Sequence, residues 1–299
     1  MSHRLPRIFV LAPTGPEGVA ALVAAGRAGA LGILDLSQVD AAVRSKSLER
    51  LVEWADRPFG LRLNSQGIEP ERWPDRLSAV ICEGDRSTDW RGILGAIRRS
   101  GRIALAEVVD REAARRAMAG GADGLIVSGL EAGGRCGDES SFVLLQGVRS
   151  EGDWPCWVRG GIGLASAAAC LAAGASGVVL DGAILLARES LLSEQERARI
   201  ARFDGGETVV IGPSCGPTVR VDAPPGSSAV ARLRSSAERG GPEWLRSVAE
   251  LVGWSAGQVR PIGQDAAFAS GLAKRWVTVG GIVQAVSKVM VRWHPVRPW

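Results

Sequence analysis

Two glycine-rich stretches carry the clearest chemistry in this sequence. Arg159-Gly160-Gly161-Ile162-Gly163 leads into a run with helical apolar spacing, Leu164 to Ala173, and Leu180-Asp181-Gly182-Ala183 supplies a second glycine turn soon after. Glycines in such turns bring bare backbone amides close to an anion at a helix N-terminus, where the helix dipole favours negative charge. Each pair alone also serves as an ordinary strand-to-helix turn; their joint placement is what points to a phosphate. Proton-moving groups are scarce: Tyr is absent and the two histidines, His3 and His294, sit near the ends of the sequence. Acid–base work in the interior therefore falls to Asp, Glu, Cys or water.

The elements that must position these turns follow from the apolar pattern. Short apolar runs alternate with amphipathic, Ala- and Arg-rich stretches, the rhythm of repeated strand and helix. Eight strands are predicted, over Arg7–Ala12, Ala30–Leu36, Pro58–Asn64, Ser78–Glu83, Ile103–Val109, Gly124–Ser128, Cys156–Arg159 and Gly177–Leu180. Helices are predicted over Gly18–Ala28, Gln38–Ala55, Trp90–Ser100, Arg111–Ala119, Phe142–Arg149 and Leu164–Ala173. The fold class is α/β, a (β/α)8 TIM barrel, and the glycine turns then follow strands seven and eight, where phosphate-binding barrels hold their phosphate. Past about Leu192 the alternation stops. A hairpin (Glu207–Gly212 and Thr218–Ala223) and helices at Ala229–Arg239, Trp244–Val252 and Gly281–Val291 read as a C-terminal hairpin-plus-helices appendage. The expected division is a barrel over 1–200 and a lid subdomain over 201–299.

The 299 residues, 46% hydrophobic and 23% charged, suit a globular protein with a large core. The net charge of +4 comes from scattered arginines with no basic block or aromatic interleaving, so nucleic acid is not an expected partner. No apolar run of about 20 residues predicts a membrane span, and no secretory signal is read at the N-terminus, so a cytoplasmic location is expected. Five scattered cysteines without a C-x-x-C pair suggest neither a disulfide framework nor a zinc site, and most read as small core residues.

The stretch after strand six, GADGLIVSGLEAGGR (Gly121–Arg135), resembles the signature of the nitronate monooxygenases and the flavin-dependent enoyl-acyl carrier protein reductases related to them. AGALGILDL, RPFGLRL and WVRGGIGLASAAACLAAGASGVVLDGAILLARES resemble further family segments in the same order, so the resemblance covers roughly residues 7 to 190. PIGQDAAFASGLAKRWVTVGGIVQAV is similar to versions fused to polyketide or polyunsaturated fatty acid synthases. The resemblance implies flavin mononucleotide (FMN) as cofactor. Its phosphate would lie against Gly160, Gly161, Gly182 and Ala183, and its ring would face Ser128, Gly133 and Gly134. Ala12, Pro13 and Thr14 would take the far side, with Gln264 near the rim.

Two positions depart from the family. Arg135 stands where the signature ends in histidine, and Arg62 stands where the family commonly has an asparagine, within reach of the cofactor. Arginine stays protonated and cannot serve as a base, which argues against oxidation of a nitroalkane by that route. It can hold developing negative charge, so reduction of a conjugated thioester fits the inventory better. Arg135, Cys136, Glu131 and Asp138 are the candidate catalytic residues, with Glu139 or water as a further proton source. The leading expectation is an FMN-dependent reductase of enoyl thioesters, small or carrier-protein-tethered, with NAD(P)H as electron donor. The alternatives are a nitronate monooxygenase, and a non-catalytic barrel that docks on or is fused to a larger synthase. A homodimer is a further reading for the apolar tail helices.

Overall fold

The computed structural model describes residues 5–12, 18–39, 41–214, 216–254 and 257–291. Pro13 and Thr14 lie outside the described residues, as do both histidines and Cys215. The eight predicted strands form: β1 (Ile8–Ala12), β2 (Leu31–Asp35), β3 (Phe59–Leu63), β4 (Leu77–Glu83), β5 (Ile103–Val108), β6 (Gly124–Ser128), β8 (Cys156–Arg159) and β9 (Gly177–Leu180). They pair in parallel in that order, and β9 pairs back onto β1 through Ile8↔Val178, Phe9↔Val179 and Val10↔Leu180, closing the barrel. Nearly every strand residue is buried, because helices cover the outside and side chains fill the inside, and this is why the strands read as unbroken apolar runs.

The wall is α1 (Val19–Arg27), α2 (Ala41–Trp54), α3 (Trp90–Arg99), α4 (Arg111–Ala119), α5 (Ser141–Glu151) and α6 (Leu164–Ala172). Asp89 and Asp110 cap α3 and α4 by accepting from the amides of Gly92 and Ala113. Between β3 and β4, where no helix is predicted with any strength, there are only two short 3-10 turns. The lumen is packed with Phe9, Leu31, Ile33, Ile81, Leu105, Ile126 and Trp157. Phe9 and Trp157 stack with centroids 4.8 Å apart, and the indole N–H donates to the Pro6 carbonyl at 3.0 Å.

Past the barrel strands the chain adds α7 (Glu194–Ile200), the hairpin β10 (Thr208–Ile211) and β11 (Thr218–Asp222), α8 (Ser228–Arg239), α9 (Gly241–Leu251), α10 (Ala269–Trp276) and α11 (Val279–Val291). Two features differ from the sequence reading. Residues Gly134–Cys136 form a further strand, β7, which pairs antiparallel with β11 through Thr218↔Cys136, Val219↔Arg135 and Arg220↔Gly134, giving a three-stranded sheet β10-β11-β7. The appendage also divides: β10, β11, α8 and α9 share a core around Trp244, Val221 and Leu233, whereas Ile282, Val283 and Val286 of α11 join the barrel core, and α11 packs on α1 and α6. The last position of the wall, between α6 and α1, is thus filled from the far side of an inserted lid.

Replacing Trp157 by Ala should remove the stack that fills the lumen and cost about 3–5 kcal/mol of stability. A urea unfolding curve on the variant and the parent protein checks this.

Candidate functional site

Charged residues crowd the strand ends that face the lid. Asp35 ends β2, Arg62 lies in β3, Glu83 ends β4, Glu107 lies in β5, Ser128 ends β6, Arg159 ends β8 and Asp181 follows β9. In a parallel barrel the C-terminal strand ends converge on one mouth, so residues far apart in sequence meet there. Arg62 is the hub: Nη1 reaches Asp35 at 2.7 Å, Nε reaches Glu107 at 2.6 Å, and Nη2 meets Glu83. Glu107 extends the network through its other oxygen, which accepts from Ser128 Oγ at 2.6 Å and from Arg159 Nη1 at 2.9 Å. Arg159 in turn lies 2.9 Å from Asp181 through Nε and donates to the Gly133 carbonyl at 2.6 Å through Nη2.

Burial sets the electrostatics. It pushes Glu107 up, but Arg62 and then Arg159, with hydrogen bonds from Arg62 and Ser128, outweigh it and hold that carboxyl at about 2. Glu83 goes the other way: burial raises its carboxyl, helped by Glu107 and Asp35, despite the opposing charge of Arg62. Cys136 is buried and raised by that burial, its Sγ 3.7 Å from Thr218 Oγ1. A thiol in that state is a poor nucleophile or proton donor.

Over this floor lies a cavity of about 230 Å³. Trp244, Leu245, Val248 and Val252 of the lid, with Trp254 and Ile262, make an apolar roof. Of the residues the sequence nominates, Ala12, Arg62, Gly133, Gly134, Arg135 and Gly182 line the cavity. Arg135 points its Nη1 at the Gly84 carbonyl. Ser128, Glu131, Cys136, Asp138, Gly160, Gly161, Ala183 and Gln264 do not line it. Asp35, Glu83, Glu107, Arg159, Asp181 and Asp265 belong to the site and were not nominated; each barrel member of that set is a charged residue at the end of an otherwise apolar run, which was the available signal.

The phosphate seat has the expected backbone but different occupants. Gly160 and Gly161 take φ of +98° and +69°, and a Cβ on Gly160 would sit 2.6 Å from the Ala132 amide nitrogen, so only glycine serves there. The amide of Gly182 donates to Asp181 Oδ1 at 2.7 Å, and that of Ala183 to Asp265 Oδ2 at 3.2 Å. Asp265 is fully buried and its Oδ1 has no hydrogen-bond partner; burial first, then the charge and hydrogen bond of Asp181, hold its carboxyl well above the usual range. Glu131 lies beside Gly161, its side chain fixed by the amide and hydroxyl of Ser141 at 2.7 and 2.8 Å. The Phe268 ring closes on Gly163. These residues do not fit an FMN phosphate in the expected position: carboxyl groups already use the amides of the second turn, and Asp181 and Glu131 would set like charge against a dianion. Nor is Ser128 open to a ring, since it lies beneath the Arg62–Glu107–Arg159 network with no exposed surface.

The sequence pattern of the nitronate monooxygenase family matches residues 91–223. A (3aS,4S,5R,7aS)-5-hydroxy-7a-methyl-1-oxo-octahydro-1H-indene-4-carboxyl-CoA dehydrogenase of Rhodococcus jostii is 28% identical over 189 residues, 60% of this chain and 51% of that protein. The dehydrogenase of the same name from Mycobacterium tuberculosis is 27% identical over 220 residues, 70% of this chain and 58% of that protein. The matches thus span little more than half the length of these relatives. Among solved structures, FabK from Thermotoga maritima superposes with a TM-score of 0.74 at 21% identity, covering 96% of this chain and 94% of that chain. Nitroalkane oxidase from Streptomyces ansochromogenes gives 0.71 at 22% identity, covering 95% and 96%. The enoyl reductase domain of MlnA from Bacillus amyloliquefaciens gives 0.68 at 14% identity, covering 95% and 94%. At these identities the structural likeness is one of fold. The activities named among them are oxidoreductions.

Two measurements probe the charges. Glu107→Ala leaves Arg62 and Arg159 facing an uncompensated gap and should cost about 3–5 kcal/mol. Because folding depresses Glu107, its contribution is present above the unfolded value of about 4.3 and is lost as pH falls toward the folded value, so the variant should lose most of this acid sensitivity in urea midpoints. Asp265 has the opposite sign: its raised carboxyl costs stability as pH rises above about 3.9. Asp265→Asn should therefore gain on the parent protein from acid to mildly alkaline pH; a constant difference across that range would refute the assignment.

Proposed function

We propose that this chain, tied to the nitronate monooxygenase family by residues 91–223, acts as a non-redox binding barrel. It keeps the family scaffold and a lidded mouth, and its own side chains stand where the flavin would. The observation that carries this reading is the Asp265 carboxyl on the Ala183 amide, reinforced by two guanidiniums committed to four carboxylates across the mouth. A buried network of paired charges is costly to break, because each partner left behind is an unpaired charge. Binding a flavin ring against Ser128 would require that cost to be met. The setting we propose is a docking or scaffolding domain in a larger synthase, and its support is the resemblance of residues 261–286 to synthase-fused versions.

A second reading, an FMN-dependent reductase of enoyl thioesters drawing on NAD(P)H, is favoured by one feature: the apolar roof beside Arg135, which suits an acyl chain. Arg135 stays protonated, so the site supplies no base there for a nitroalkane.

Flavin content separates the two readings. The purified protein is expected to be colourless and to leave the fluorescence of added FMN unquenched. Yellow protein carrying stoichiometric flavin, and oxidising NAD(P)H only when an enoyl thioester is present, would establish the second reading and end the first.

A further inference from the structure

We infer that the lidded mouth is a receptor for a carboxylate carried on a short apolar chain, with Arg135 as its anchor. This deepens the binding-barrel reading and rests on it, because a flavin ring would fill the same space. Three guanidiniums line the cavity, and the protein answers two of them itself. Arg62 is engaged by three carboxylates, and Arg159 by two and by the Gly133 carbonyl. Arg159 Nε has no aligned hydrogen bond, yet it stands 2.9 Å from Asp181 Oδ2. Among the described residues no carboxylate pairs with Arg135. Its Nη1 donates to the Gly84 carbonyl, its Nε is buried without an acceptor, and no hydrogen bond uses Nη2.

The place of that gap selects the ligand. With Nη1 on a carbonyl, the free Nε–Nη2 edge is the fork that matches the two oxygens of a carboxylate. Arg135 on β7 stands directly across from Val219 of β11, so the two side chains share a face of the sheet, and both line the cavity. The head group is therefore held beside carbon: Val219, Leu245, Val248, Trp254 and Ile262 offer surface for a chain. The acidic residues nearby are answered within the protein. Asp35, Glu107 and Asp181 are paired with Arg62 and Arg159, and burial raises the Glu83 carboxyl toward its neutral form. Asp85, exposed at the rim, accepts from the amide and hydroxyl of Ser87 through Oδ1. An ammonium head would set like charge against Arg135, and an alcohol brings a single oxygen and no charge to the fork.

Calorimetric titration of the full chain with hexanoate, hexanol and hexylamine tests this. Hexanoate should bind at least about tenfold more tightly than hexanol, with hexylamine weakest. Arg135→Ala should weaken hexanoate by about tenfold to a hundredfold and change hexanol little. Arg135→Lys keeps the charge but loses the fork, so it too should weaken hexanoate and spare hexanol, which keeps the test in force if Arg135→Ala does not fold. Val248→Trp should abolish binding of hexanoate and hexanol alike by filling the roof. Hexanol or hexylamine binding as tightly as hexanoate, hexanoate binding left intact by either Arg135 variant, or no hexanoate binding at all would overturn the inference. Flavin absorbance read on the same samples keeps the two failures apart. Yellow protein defeats the binding-barrel reading and the inference with it, whereas colourless protein that does not prefer hexanoate defeats the carboxylate alone.

Discussion

Arg62 held by Asp35, Glu83 and Glu107 is the interaction on which the mouth of this barrel depends. One guanidinium ties three other strands, β2, β4 and β5, to its own strand β3, and Glu107 passes the linkage to Arg159 and β8. Because the groups are nearly dry, every charge must be answered by a neighbour. The cluster therefore behaves as a single piece: it caps the lumen and sets the level of the cavity floor. Relatives that share the scaffold share none of this by necessity, since a fold is compatible with many sites.

Much of the scaffold was legible in the sequence because burial on both faces writes a parallel strand as an apolar run of definite length. All eight barrel strands fall within a residue or two of their expected limits, and the hairpin and α8, α9 and α11 appear where apolar spacing places them. The short helix α7 was not expected, although Ser193 and Glu196 spell a reciprocal cap that the structure forms. The Ala- and Gly-rich α10 has weaker marks. β7 was hidden because its partner β11 lies more than eighty residues away, and Gly134-Arg135-Cys136 has no strand pattern of its own.

The site was legible only in part. Family likeness directed attention to the glycine turns and to Arg135, and the turns do have the backbone expected of them. What they face was missed, because Asp265 reaches Ala183 from a distant segment and nothing local in GQDAA marks a buried carboxyl. The strand-end charges had a readable signal: ILDL, VICE, LAEV and WVRG each interrupt an apolar run with a charged residue at the position that converges on the mouth. Single residues of that kind look incidental in one strand and become a pattern only when the strands are compared.

The path of the chain through the lid also bears on how the protein is made. β1 and α1 emerge early in synthesis, yet the face of α1 that α11 covers stays bare until residues near 290 have been translated. Until then a nascent chain holding all eight strands still exposes apolar wall, and contacts spanning most of its length must form last, the kind of topology that folds slowly and is prone to association on the way. Late closure of the apolar wall is the consequence of completing it from beyond an inserted lid.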